Sequence, residues 1–125
     1  MAELWMVQAI IQGFKLDAVT RALEQLPGFG GMTVSDCRGF GHEKLGTEGE
    51  DRDRPGGHRP DADLTDFKPK IRLEIAIAGW ERADAVAETI ARSAHTGRGG
   101  DGKVFLWLLS RAIRIRNHGL DEDAL

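Results

Sequence analysis

Residues 95–107 read HTGRGGDGKVFLW, and the placement of this stretch between its neighbours decides the fold. Gly97, Gly102 and Lys103 carry the G-x-x-x-x-G-K spacing of a phosphate-binding P-loop, but Val104 stands where that loop needs Ser or Thr to hold Mg²⁺. A P-loop also follows a strand and opens a helix, whose N-terminus completes the anion site. Here the order is reversed. Upstream, Ala83, Val86, Ile90 and Ala94 recur at helical spacing and predict a helix over Trp80 to Ala94. Downstream, VFLWLL predicts a strand over Val104 to Leu109. The Walker reading is therefore rejected. What is left is a helix-to-strand connection with four glycines in residues 97–102, closed by a lysine. It suits either a plain glycine-rich turn or a loop whose amides converge on phosphate oxygens.

Working outward from this stretch, Ile71, Leu73, Ile75 and Ile77 alternate with Arg72 and Glu74, which predicts a strand broken by Gly79. Met32 to Arg38 alternates and predicts another, and Leu4 to Ile11 is an apolar run of strand length. From Leu16 the spacing turns helical, with Leu16, Val19, Leu23 and Leu26 on one face and Asp17 near the positive helix start. Pro27, Gly28, Gly30 and Gly31 stop that helix. The order strand, helix, strand, strand, helix, strand is the split β-α-β plan of a ferredoxin-like α+β domain. Its antiparallel sheet carries both helices on one face, and residues 1–125 form a single domain. The last strand is apolar on both sides, with Val104, Leu106 and Leu108 one way and Phe105, Trp107 and Leu109 the other. In a two-layer domain that implies a covered open face, and hence a homo-oligomer.

Composition narrows the function. With 41% apolar and 30% charged residues the chain reads as a soluble globular protein. A net charge of −3 gives no global drive onto nucleic acid, so no nucleic-acid partner is expected. The longest apolar run, Val104 to Leu109, is too short to cross a bilayer, so no membrane insertion is expected. The opening MAELWMVQAII shows neither a basic leader nor a cleavage pattern, and the single Cys37 fits a reducing compartment, so the expected location is cytoplasmic.

TGRGGDGKVFL resembles the nucleotide loop of the PII signal-transduction proteins. AIIQGFKLDAV resembles that family's opening strand and helix start, GMTVSDCRGFG its second strand and RAIRIR its C-terminal basic stretch. The resemblance is collinear over nearly the whole chain outside the long connection between the second and third strands. It implies a homotrimer whose open sheet faces pack together, with ATP or ADP between subunits and Mg²⁺ as an accompanying ion. By position, Gly100, Asp101, Gly102 and Lys103 in the 95–103 loop would wrap the phosphates. Arg114 and Arg116 in the C-terminal segment 111–125 would reach them from the neighbouring side. Gly31, Met32 and Thr33 would line the base pocket, with Ile11 and Ala76 nearby, and Gly39, Phe40 and Gly41 would complete the nucleotide set. Residues 41–69 correspond to the family's T-loop, which docks on a target transporter or enzyme. Its charges and glycines offer little to bury, and it is expected to be flexible.

The chain also departs from that pattern. It contains no tyrosine, so control by tyrosine uridylylation is excluded. GFGHEK stands where the family's nitrogen regulators carry GFGRQK, placing His42 and Glu43 at the loop base, with Lys70 kept at the effector position. The implied effector set is Gly41, His42, Glu43, Lys70 and Gly100. Two like charges about 4 Å apart cost about 4 kcal/mol at an effective dielectric near 20, so Glu43 should disfavour the dianion 2-oxoglutarate. Bicarbonate, small and singly charged, is favoured instead by analogy with divergent family members linked to inorganic carbon. Two alternatives remain: a metal-responsive module using His42 and His58, or a slow ATPase with Glu43 or Asp101 as base. No nucleophile–base constellation is evident, and the chain is expected to have no catalytic residues and not to be an enzyme.

Overall fold

The computed structural model describes residues 2–41 and 67–125. Among them, β1 (Leu4–Ile11), β2 (Thr33–Gly39), β3 (Lys68–Ala78) and β4 (Gly102–Leu109) form one sheet in the order β2-β3-β1-β4. Each neighbouring pair is antiparallel. Between the strands run α1 (Leu16–Glu24), entered through a 3₁₀ turn at Gly13–Lys15, and α2 (Trp80–Ser93). This is the expected ferredoxin-like order. A second 3₁₀ turn, Asp121–Ala124, lies in the C-terminal segment.

Alternation decides which side of the sheet each residue serves. Val7, Ala9 and Ile11 of β1 and Leu73, Ile75 and Ile77 of β3 form one buried cluster with Val19 and Leu23 of α1 and Ala83, Val86 and Ile90 of α2. Gly79, at φ 91°, turns the chain from β3 into α2. Its amide donates to the Glu3 carbonyl at 2.7 Å, and its own carbonyl accepts from Ala83 N at 3.0 Å. Trp5 and Trp80 meet edge to face across this corner, ring centroids 4.8 Å apart.

The starts of two strands and the burial of one residue differ from the sequence reading. β4 begins at Gly102, because Gly102 and Lys103 pair with Ile11 and Ile10. β3 begins at Lys68, because Lys68, Pro69 and Lys70 pair with Gly39, Arg38 and Cys37 of β2. β1 stops opposite Ile71, so Pro69 lies beyond its reach and its missing N–H breaks no ladder on that side. Finally, Leu108 shares a face with Val104 and Leu106 yet is 53% exposed. Only the other two are packed against the helices' core.

The opposite face of the sheet is mixed. Gln8 Nε2 donates to Glu74 at 3.4 Å and Arg72 Nε to Ser35 Oγ at 3.2 Å, a polar set that is satisfied within the chain. Beside it Phe105 and Trp107, opposite Gln8 and Met6, remain 46% and 41% exposed. Because Leu23 is fully buried where α1 meets the sheet, Leu23→Ala should lower unfolding stability by about 2–5 kcal/mol in urea titration. A loss below about 1 kcal/mol would mean that α1 is not part of the cooperative core.

Candidate functional site

The glycine-rich connection is shaped by one carboxylate. Asp101 accepts hydrogen bonds from the Thr96 amide at 2.8 Å, from the Thr96 hydroxyl and from the Gly97 amide at 2.8 Å. Thr96 Oγ1 in turn accepts from the Arg98 amide at 3.1 Å. The Thr96 hydroxyl, then its amide, hold the Asp101 carboxyl down at about 2. Slight desolvation opposes them, and the Gly97 amide and nearby His95 add to the depression. The carboxylate therefore organises the loop and is a poor base at neutral pH.

Gly102 is required sterically. It sits at φ 104°, and a Cβ there would lie 1.7 Å from the Ile10 carbonyl oxygen. Gly100, at φ 92°, leaves room for two side chains below it, Gln12 and Lys70. Lys70 is only 6% exposed, and its Nζ donates to the Gly100 carbonyl at 2.6 Å. On its other flank a Cβ at Gly39 would come within 3.2 Å of Lys70 Cγ. Lys70 thus joins the start of the long connection to the glycine loop. Phe40 packs on Phe67, ring centroids 5.3 Å apart, at the edge from which the long connection departs. Gly41 follows at the same edge.

A second feature lies elsewhere. Gly31, Met32, Thr33 and Ala76 line a cleft of about 530 Å³ together with Glu74, Arg82, Glu122 and Leu125. Arg114 reaches the rim of this cleft, donating from Nη2 to the Leu125 backbone oxygen at 2.6 Å. Arg116 is exposed.

The expected site residues thus fall into two groups. Gly39, Lys70, Gly100, Asp101, Gly102 and Lys103 gather at the end of the sheet where Ile11 pairs with Gly102. Gly31, Met32, Thr33, Ala76 and Arg114 gather toward the other end. Lys70 and Ala76 are six residues apart along β3, which at ~3.4 Å per residue is about 20 Å. The Ile11 side chain is 1% exposed and belongs to the core, so only its backbone borders the loop. His42, Glu43 and His58 lie outside the described residues. Among those described, no group of three or more His, Cys, Asp or Glu could hold a metal ion. No described helix is long and apolar enough to cross a membrane.

Sequence reasoning missed Gln12, Arg82, Glu122 and Leu125. Arg82 lies in the first turn of α2, its guanidinium over Gly28 at φ 81°. Nothing in the local pattern distinguishes it from a solvated helix arginine.

A family model described as nitrogen regulatory protein P-II matches residues 4–119. The chain is 40% identical over 119 residues to the nitrogen regulatory protein P-II of Haemophilus influenzae, covering 95% of this chain and 97% of that one. It is 41% identical over 118 residues to nitrogen regulatory protein P-II 1 of Escherichia coli, covering 94% and 96%. Among solved structures it is similar to Arabidopsis thaliana PII bound to citrate. The TM-score is 0.74 at 30% identity, covering 99% of this chain and 94% of that one.

The Asp101 bonds fix a pH response. Its folded pKa lies below the ordinary 3.8, so its hold on the loop is complete above about 3.8 and is lost as pH falls through about 2. The Thr96 and Gly97 amide resonances should therefore stay flat down to about pH 3 and titrate near 2. A midpoint at the ordinary carboxylate value would show that these bonds are not made. Asp101→Asn should remove the transition.

Proposed function

The chain belongs to the nitrogen regulatory protein P-II family, and we propose that it works as a nucleotide-sensing signal-transduction regulator whose sites are completed between copies of the chain. The separation of the two residue groups carries this reading. One end of the sheet offers glycine amides, Lys103 and the Lys70–Gly100 link; the other offers a cleft of about 530 Å³ with Arg114 at its rim. A head-to-tail contact would set one copy's loop against its neighbour's cleft, and such a contact closes into a ring when the rotation allows it. A homotrimer satisfies this and covers Phe105 and Trp107, which a lone chain leaves exposed. ATP or ADP, with Mg²⁺ where the phosphates need it, is the ligand proposed for the shared site.

The chemistry agrees with this division. Charge-assisted hydrogen bonds from arginine and lysine to phosphate are worth about 1.5–3 kcal/mol each. Catalysis is not part of the proposal, since Asp101 is tied into the loop as a low-pKa carboxylate. Residues 41–69 would carry the output to a target transporter or enzyme in the cytoplasm.

Calorimetry and sedimentation test the core of the reading. A trimer binding ATP and ADP is expected, and Lys103→Ala should weaken ATP about tenfold more than ADP, the factor that ~1.4 kcal/mol carries. Equal losses for both nucleotides would put Lys103 away from the outer phosphate, and a stable monomer would remove the shared site.

For the second effector we favour bicarbonate over 2-oxoglutarate. Lys70 supplies one buried cation beside Gly100, while Glu43 brings a carboxylate to the same loop base in sequence. Titrating the ATP complex with each anion, with and without Mg²⁺, should give a response to bicarbonate. It should also leave 2-oxoglutarate weakened by roughly two to three powers of ten relative to a Glu43→Gln variant. Indistinguishable 2-oxoglutarate affinities in the two proteins would refute the charge argument.

A further inference from the structure

The cleft lined by Gly31, Met32, Thr33 and Ala76 already has a neighbour that the proposed function does not use. Glu122 and Leu125 line it too. The segment that brings them there is folded back by specific contacts. Arg114 N donates to the Gly119 carbonyl and His118 N to the Arg114 carbonyl, both at 2.8 Å. Ile113 and Leu120 form an isolated bridge, and Asp121 N donates to the Ala112 carbonyl at 2.8 Å. Asp121 Oδ1 accepts from Ala112 N at 3.2 Å. His118 and Asp121 both take positive φ, 59° and 52°, to make the reversal.

Beyond Asp121 the hold becomes lighter. Residues 122–125 are kept by the Asp123 amide on the Leu120 carbonyl at 3.0 Å and the Leu125 amide on the Glu122 carbonyl at 3.3 Å. Glu122 Oε1 adds a bond from the Ala2 amide at 2.6 Å. Glu122, Asp123 and Leu125 are all exposed, so little buried surface resists their removal. The contact that matters for function is Arg114 Nη2 on the Leu125 oxygen at 2.6 Å. Arg114 Nε is buried without a partner, so this guanidinium is turned toward its own tail and only part satisfied there.

We infer that residues 122–125 are an internal competitor for the nucleotide site: they occupy the rim of the base cleft and hold Arg114 until ligand displaces them. The inference rests on the nucleotide reading above and adds to it a tail that must leave. Two effects work together. The Leu125 oxygen takes the arginine donor that a phosphate oxygen would take. Glu122 also places a carboxylate in the lining of a cleft proposed for a polyanion, which raises the electrostatic cost of entry.

The test compares the full chain with a variant shortened to end at Asp121, which keeps both Asp121 contacts to Ala112. Calorimetry with ATP should show the shortened chain binding about tenfold more tightly. Equal affinity would overturn the inference alone. Weaker binding would also overturn it, since the tail would then be a wall of the site. No ATP binding by either chain would overturn the nucleotide reading and this inference together. A second measurement needs no variant: amide exchange at Asp123 and Leu125 of the full chain should accelerate at saturating ATP. Unchanged protection there would overturn the inference whatever the shortened chain does.

Discussion

At the start of β4 the Ile10 carbonyl points at residue 102 so closely that a Cβ there would lie 1.7 Å from its oxygen. Much of the molecule depends on this approach. It seats Gly102 opposite Ile11 and so sets the register that puts Val104 and Leu106 on the helix side and Phe105 and Trp107 on the other. It also fixes where the glycine loop must end. Asp101, immediately before, is thereby held where its carboxylate gathers the Thr96 and Gly97 amides. A side chain at position 102 would push β4 off β1, and the loop, the open face and the cation Lys103 would all move with it.

Lys70 performs the corresponding task for the long connection. A buried ammonium needs acceptors, and here the acceptor is the Gly100 carbonyl. Its stem fits because Gly39 and Gly100 lack side chains. One lysine therefore ties the base of residues 41–69 to the glycine loop, two regions far apart in sequence. A displacement of the glycine loop would be felt at Gly39 through the Lys70 side chain packed beside it.

The strands and helices were legible because burial on one side of a two-layer domain imposes alternation in β3 and a 3.6-residue period in α1 and α2, while β1 showed as an apolar run of strand length. The glycine loop was legible because four glycines and a lysine in so short a stretch have few explanations. The start of β3 was hidden, since Lys68-Pro69-Lys70 is polar and contains proline. Only pairing with β2, where β1 no longer flanks it, makes it a strand. Leu108 looked like core because alternation says which side a residue faces, not whether a helix reaches that far. The role of Asp101 was also hidden, because a Gly-Asp-Gly-Lys motif does not reveal that its carboxylate bonds inward to Thr96. Arg82 and Leu125 reach the cleft from distant parts of the chain, a proximity that no local pattern encodes.

The placement of the tryptophans has an optical consequence. The chain has three tryptophans and no tyrosine, so its near-ultraviolet emission belongs to indole rings alone. Trp5 and Trp80 are stacked edge to face at the corner between β1 and α2, a fixed mutual environment within one chain. Trp107 stands apart on the uncovered sheet face, 41% exposed and opposite Met6. Any body that settles on that face transfers one indole from water to a less polar medium and leaves the other two undisturbed. The molecule thus carries a built-in reporter, a shift in the colour of Trp107 fluorescence, for whatever covers its sheet.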